Sequence, residues 1–63
     1  MLPLQFILKL RIQATCNLLR CSDASIWEVA EECGFNDQSY FSKQFKQHIG
    51  ISPGNYRENY GYQ

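Results

Sequence analysis

The feature that most restricts what this 63-residue sequence can fold into is a glycine with helix signals set close on both sides: Ser25-Ile26-Trp27-Glu28 ahead of Gly34, and Asn36-Asp37 behind it. An S-x-x-E run is a capping box, in which Ser25 caps a helix and Glu28 reaches back to the cap, a device worth about 0.5 to 2 kcal/mol. The helix it opens has room only from 26 to 33, with Ile26, Val29, Ala30 and Cys33 on one face. Gly34 stops it in the left-handed conformation that only Gly adopts cheaply. Asn36 or Asp37 then caps a helix over 37 to 48, which carries Phe41, Phe45 and Ile49 at four-residue spacing on one face. Two short helices across a tight turn predict an all-α fold, a homeodomain-like helical bundle built on a helix-turn-helix.

The flanks extend the same reading. Pro3 suits the first turn of a helix, and no further Gly or Pro occurs before 21. Phe6, Ile7, Leu10, Ala14 and Leu18, interleaved with Leu8, Ile12, Thr15 and Leu19, recur at three- and four-residue steps, so a long helix is expected over 3 to 20. Its apolar stripe is wide enough for burial on two sides, and a chain this short has too little material to cover both. Ser22-Asp23-Ala24 interrupts the pattern; Gly50 ends the third helix, and Ser52-Pro53 caps a short last one over 53 to 58. The tail beyond Asn59 carries no structural signal. The expected core is Leu10, Leu18 or Leu19, Ile26, Ala30, Phe35, Phe41, Phe45 and Tyr56.

Composition narrows the function classes. Cys16, Cys21 and Cys33 have no paired zinc-type spacing, and the N-terminus has no secretory signal, so a reduced, cytoplasmic chain is expected. No apolar run approaches the ~20 residues of a membrane span. His48 is the one histidine, and no triad, phosphate loop, paired-carboxylate motif or metal-ligand set accompanies it. No catalytic residue, metal or cofactor is therefore expected; Glu31-Glu32 beside Cys33 reads as a solvated helix face.

Six basic and six acidic residues give zero formal charge, but they are segregated. Lys9, Arg11 and Arg20 precede residue 22 without an acid; Asp23, Glu28, Glu31, Glu32 and Asp37 follow without a base; Lys43, Lys46 and Arg57 then face Glu58 alone. A basic face can thus coexist with an acidic one, and distribution matters more than the sum for a phosphate-bearing partner.

In the order Arg11-Ile12, Leu18-Leu19, Ser25-Ile26-Trp27-Glu28-Val29-Ala30, Gly34-Phe35, Ser39-Tyr40-Phe41, Phe45-Lys46, Gly50, Ser52-Pro53 and Tyr56-Arg57, the chain resembles the AraC/XylS family of bacterial transcription regulators. The resemblance spans about 3 to 57. It implies a module of two helix-turn-helix units joined by one long helix, of which this chain matches the joining helix (1–22) and the second unit (23–60), followed by a tail (61–63). It also accounts for the two-sided stripe, one side of which would pack on the first unit. Thr15 departs from the family pattern, which usually has a small Ala there.

The family resemblance and the residues point to one surface. With Phe41, Phe45 and Ile49 turned inward, Ser39, Tyr40, Lys43, Lys46 and Gln47 face out, with Ser42 at the edge and Gln38 near the tip. Gln38 can bond adenine, Lys43 can reach the acceptor edge of guanine, and Ser39 and Ser42 allow close approach to double-stranded DNA. Tyr40 and Lys46 suit phosphates, as do the free N–H groups of Ile26 and Trp27 at a helix start. Ala30, Gly34, Phe35, Phe41 and Phe45 are assigned to turn and core; helical spacing favours packing over a stacking platform for single strands. Trp27 is open between phosphate contact and packing, and Arg57 reads as a structural partner of a helix end. The alternative class is a helical protein-interaction module with little DNA affinity. It would present Glu28, Glu31 and Glu32 to a partner such as RNA polymerase, which the resembling activators contact, or self-associate through the linker helix.

Overall fold

Caps decide where each helix begins and ends. The computed structural model describes residues 1–61, and within them four helices and no strand: α1 (Leu4–Cys21), α2 (Ile26–Glu32), α3 (Gln38–Ile49) and α4 (Pro53–Tyr60). Ser25 accepts from the Glu28 N–H and Glu28 Oε1 accepts from the Ser25 N–H, both at 3.1 Å, so the capping box is complete. Asp37, rather than Asn36, caps α3, its Oδ1 accepting from the Tyr40 N–H at 2.8 Å. Ser52 caps α4 with Pro53 as its first residue. Gly34 and Gly50 both take left-handed φ, +100° and +99°, the conformation that a β-carbon penalises.

Some bounds differ from the sequence expectation. Pro3 lies just outside α1, its carbonyl accepting from Phe6 and Ile7. Cys33 is the C-cap of α2 and not its last residue. The last helix runs on to Tyr60 because the Tyr56 and Tyr60 rings, 5.1 Å apart, hold its final turn. Of the expected tail, Tyr62 and Gln63 lie outside the described residues.

The long helix packs across α2, α3 and α4. Its buried face is Leu8, Ile12, Thr15, Cys16 and Leu19, the interleaved set of its two candidate stripes. Leu10, expected in the core, is instead 47% exposed, and Phe6 is exposed with it. The reason is rotational: α1 meets three helices through one face, and Leu10 lies about 200° around the axis from Leu8. Ile7 and Leu18 sit half-buried at the edges, and Leu19 is the fully buried one of its pair. The Thr15 hydroxyl, fully buried, donates to the Arg11 carbonyl at 2.8 Å, so the polar departure from the family pattern is satisfied within its own helix.

Ile12, Leu19, Val29, Ala30, Phe41 and Phe45 are at most 1% exposed, and Phe35 and Tyr56 complete the core. Ile26, expected there, is half-buried against it. Ile49, the last residue of α3, is not buried: it borders an open hollow beside Arg20 and stays exposed. Gln44 takes an inner position that the aromatic spacing did not reveal, and its Oε1 is buried without a hydrogen-bond partner.

Two substitutions test this packing. Phe45→Ala is expected to lose about 3 to 5 kcal/mol, enough to unfold a chain of this size. Gln44→Met is expected to gain about 1 kcal/mol by removing an unsatisfied carbonyl. Urea or thermal denaturation followed by circular dichroism reads both, and a stabilised Phe45→Ala would contradict the core assignment.

Candidate nucleic-acid interface

Between α2 and α3 the chain reverses in a closed motif. The Phe35 N–H donates to the Ala30 carbonyl at 3.0 Å and the Gly34 N–H to the Glu31 carbonyl at 3.1 Å, the pair of bonds that defines a Schellman C-cap. Ala30 is fully buried beneath it, and Phe35 folds back onto Phe41, with ring centroids 5.0 Å apart. The departure of α3 from the turn is thereby set by backbone bonds and one aromatic contact.

All four residues expected to read bases, Gln38, Ser39, Ser42 and Lys43, are exposed on α3, as are Tyr40, Lys46 and Gln47. At about 100° per residue, Ser39, Lys43 and Lys46 occupy the middle of this outer face, Gln38 and Ser42 one flank, and Tyr40 and Gln47 the other. The Tyr40 ring leans toward Phe35 at 6.4 Å between centroids. Twelve residues make α3 about 18 Å long at 1.5 Å per residue. The Gln38 end therefore carries short polar side chains, and Lys46 lies about two turns further along.

The start of α2 is more mixed. The capping box uses the N–H groups of Ser25 and Glu28, leaving those of Ile26 and Trp27 outside it, as an anion contact requires. The Ile26 and Trp27 side chains, however, are half-buried against the core, which settles Trp27 as at least partly a packing residue. Hydrogen bonds from the Ser25 backbone and then its hydroxyl hold the Glu28 carboxyl below its ordinary value, so a negative charge already stands at this helix end.

Sequence spacing had no means of showing three long-range contacts. Arg57 donates to the Ser22 carbonyl at 2.8 Å and to the Ala24 carbonyl, tying α4 to the link between α1 and α2. Arg20 donates to the Tyr56 hydroxyl at 2.8 Å and to Asn17 Oδ1. A β-carbon on Gly34 would meet the Arg11 side chain, 3.1 Å from its Nε. Burial pushes the Cys16 thiol up, outweighing the Tyr56 hydroxyl and Arg20 beside it, so Cys16 is a neutral packing group. All three cysteines are free. Among the described residues no cluster of His, Cys, Asp or Glu could hold a metal ion, and no helix is long and apolar enough to cross a membrane. A shallow hollow of about 410 Å³ between Arg20, Ile49, Ile51, Tyr56 and Tyr60 involves none of the expected base readers.

A capped helix, a closed glycine turn and a second helix with a polar, basic outer face define a helix-turn-helix domain. The helix-turn-helix domain family matches residues 1–59. The chain belongs to this family, within the AraC/XylS regulators. It is 41% identical over 56 residues to the MmsAB operon regulatory protein of Pseudomonas aeruginosa, covering 89% of this chain and 18% of that one. To the HTH-type transcriptional activator RhaS of Escherichia coli it is 36% identical over 56 residues, covering 89% and 20%. The chain thus spans about a fifth of the length of the curated relatives it matches. No solved structure matches it.

The Glu28 contact has a pH signature. Its folded value lies below the ordinary 4.5, so its contribution is complete above that value and is lost as pH falls through the folded one. Thermal melts between about pH 3 and pH 6 are expected to show a steeper acid loss for the parent than for Glu28→Gln. Identical acid limbs would remove the carboxylate from the cap.

Proposed function

We propose that the chain binds double-stranded DNA sequence-selectively as part of a transcription regulator, with α3 in the major groove. The observation that carries this reading is the two-faced α3: Phe41 and Phe45 buried on one side, and Gln38, Ser39, Ser42, Lys43 and Lys46 exposed on the other. A major groove about 12 Å wide admits one helix, whose N-terminal residues meet base edges. In this reading Gln38 and Lys43 supply base contacts and Ser39 and Ser42 let the backbone approach. Lys46 and Tyr40, towards the C-terminal part and the flank of α3, take phosphates. The amides of Ile26 and Trp27 make a weaker phosphate contact, since Glu28 opposes an anion there. A DNA-bound regulator with three free thiols belongs in a reducing cytoplasm.

In the same reading α1 is the joining helix of a two-unit module, 1–22, and 23–60 is its second unit. Support comes from the exposed Phe6 and Leu10, on a side of α1 that the described residues do not cover. The relatives named as a transcriptional activator and an operon regulatory protein support a regulatory role. A polymerase contact would use the exposed Glu31 and Glu32 of α2, with Glu28, which stands beside the proposed phosphate contact, as its less available member.

Two experiments follow. In the full-length protein, Lys43→Ala and Gln38→Ala are expected to weaken a selected site by about 1 to 3 kcal/mol and to relax preference at one or two base pairs. Lys46→Ala should weaken all sequences alike and lower the salt slope by about one unit. Gel shift and anisotropy decide; parent-like binding by all three variants would pass the case to a protein-interaction module. In sedimentation, the isolated 63 residues are expected to self-associate through the uncovered side of α1, whereas a stable monomer at high concentration would count against that surface.

A further inference from the structure

We infer that Arg11 is a positioning residue for α3: from α1, its guanidinium serves as the cationic cap of α2 and holds the turn at Gly34 from which α3 departs. This rests on the DNA-reading role proposed for α3.

The carbonyl end of a helix carries partial negative charge, which a basic residue in the last turn ordinarily offsets. The last turn of α2 has no basic residue and carries Glu31 and Glu32 instead. The missing cation comes from another helix. A β-carbon placed on Gly34 would lie 3.1 Å from Arg11 Nε, 3.3 Å from Cζ and 3.5 Å from Cδ, so the guanidinium and the end of its stem lie beside Gly34 on the side a β-carbon would occupy, one residue past the Cys33 cap.

That placement is enforced from α1. Leu8 and Ile12, at 2% and 1% exposure, fix the rotation of the helix around Arg11, and the buried Thr15 hydroxyl binds the Arg11 carbonyl. Gly34 then satisfies two demands at once: its φ of +100° disfavours other residues, and a side chain there would displace Arg11. Because the Phe35 and Gly34 amides of the same turn set the course of α3, a shift of the turn tilts the whole exposed face from Gln38 to Gln47.

The test compares Arg11→Gln, Arg11→Lys and Ile12→Val, the last a core change that lowers stability without touching the turn. In the full-length protein, affinities are measured for a duplex that the parent selects from a randomised pool and for a random duplex; amide signals of Gly34 and Phe35 are followed in labelled protein. Arg11→Gln is expected to lower the ratio of selected to random affinity about five- to tenfold and to move both amide signals. Arg11→Lys, which keeps the cation, should restore most of the ratio, and Ile12→Val should leave it at the parent value. An unchanged ratio with a salt slope reduced by about one would make Arg11 a phosphate contact and overturn the proposal. Equal effects of Arg11→Gln and Ile12→Val on the ratio would reduce its role to stability and overturn it as well. Should the parent select no duplex at all, the DNA-reading proposal fails by itself. The amide signals, unmoved in Arg11→Gln, would then reject the Arg11 contact separately.

Discussion

Everything on the exposed side of α3 depends on a row of aromatic rings beneath it. Phe35 meets Phe41 at 5.0 Å, Phe41 meets Phe45 at 5.8 Å and Phe45 meets Tyr56 at 5.6 Å, the last two edge to face. Such pairs contribute about 0.5 to 1.5 kcal/mol beyond the area they bury. The row also carries geometry. Its first ring belongs to the turn, its middle rings to α3 and its last to α4, so one continuous contact fixes the helix at both ends and in the middle. The reading face proposed for α3 would require that kind of support, since a helix free to roll on its core could not hold Gln38 and Lys43 in one orientation.

The burial of these rings leaves the charges to be sorted by position rather than by number. The zero formal charge conceals an acidic α2, with Glu28, Glu31 and Glu32 exposed, beside an α3 whose outer lysines have no acid among them. A chain of this kind lacks the long-range pull of a strongly basic domain. In the proposed DNA-binding role, contacts at the surface of α3 would therefore matter more than steering.

Local signals in the sequence were sufficient wherever a short span decides the outcome. Ser25 with Glu28, Ser52 with Pro53, and the stops at Gly34 and Gly50 each act over three or four residues and were legible, while the α3 cap was narrowed to Asn36 or Asp37. The outer face of α3 was legible for the same reason, because Phe41 and Phe45 set its rotation. The rotation of α1 was not. Two apolar stripes competed there, and the choice of Leu8-Ile12-Leu19 over Leu10 is made by three partner helices distant in sequence. Ile49 was misplaced by a similar limit, since helical spacing predicts a face but not how far its neighbours cover it, and the buried Gln44 was given no place by that spacing. Contacts of Arg11, Arg20 and Arg57 join segments that no periodicity relates.

Those three arginines are all the arginines of the chain, and each is engaged with the protein itself: Arg11 at the turn, Arg20 on Tyr56, Arg57 on the carbonyls of Ser22 and Ala24. Lys9, Lys43 and Lys46 are exposed, as Arg11 and Arg20 are, but the lysine ammonium groups make no hydrogen bond among the described residues. The division follows from their chemistry, because a planar guanidinium lies flat on backbone and bonds two carbonyls in a fork, whereas an ammonium is a hydrated point charge on a flexible stem. It has a consequence for the proposed reading face. Without an arginine there, guanine would be met only by Lys43, and the side chain near the α3 tip suited to a bidentate base contact would be Gln38. Each such contact discriminates by only about 1 to 3 kcal/mol, so a site read by this helix alone spans few base pairs. Selectivity sufficient to regulate a gene would have to be completed by a second reading surface, which fits an α1 that presents Phe6 and Leu10 uncovered.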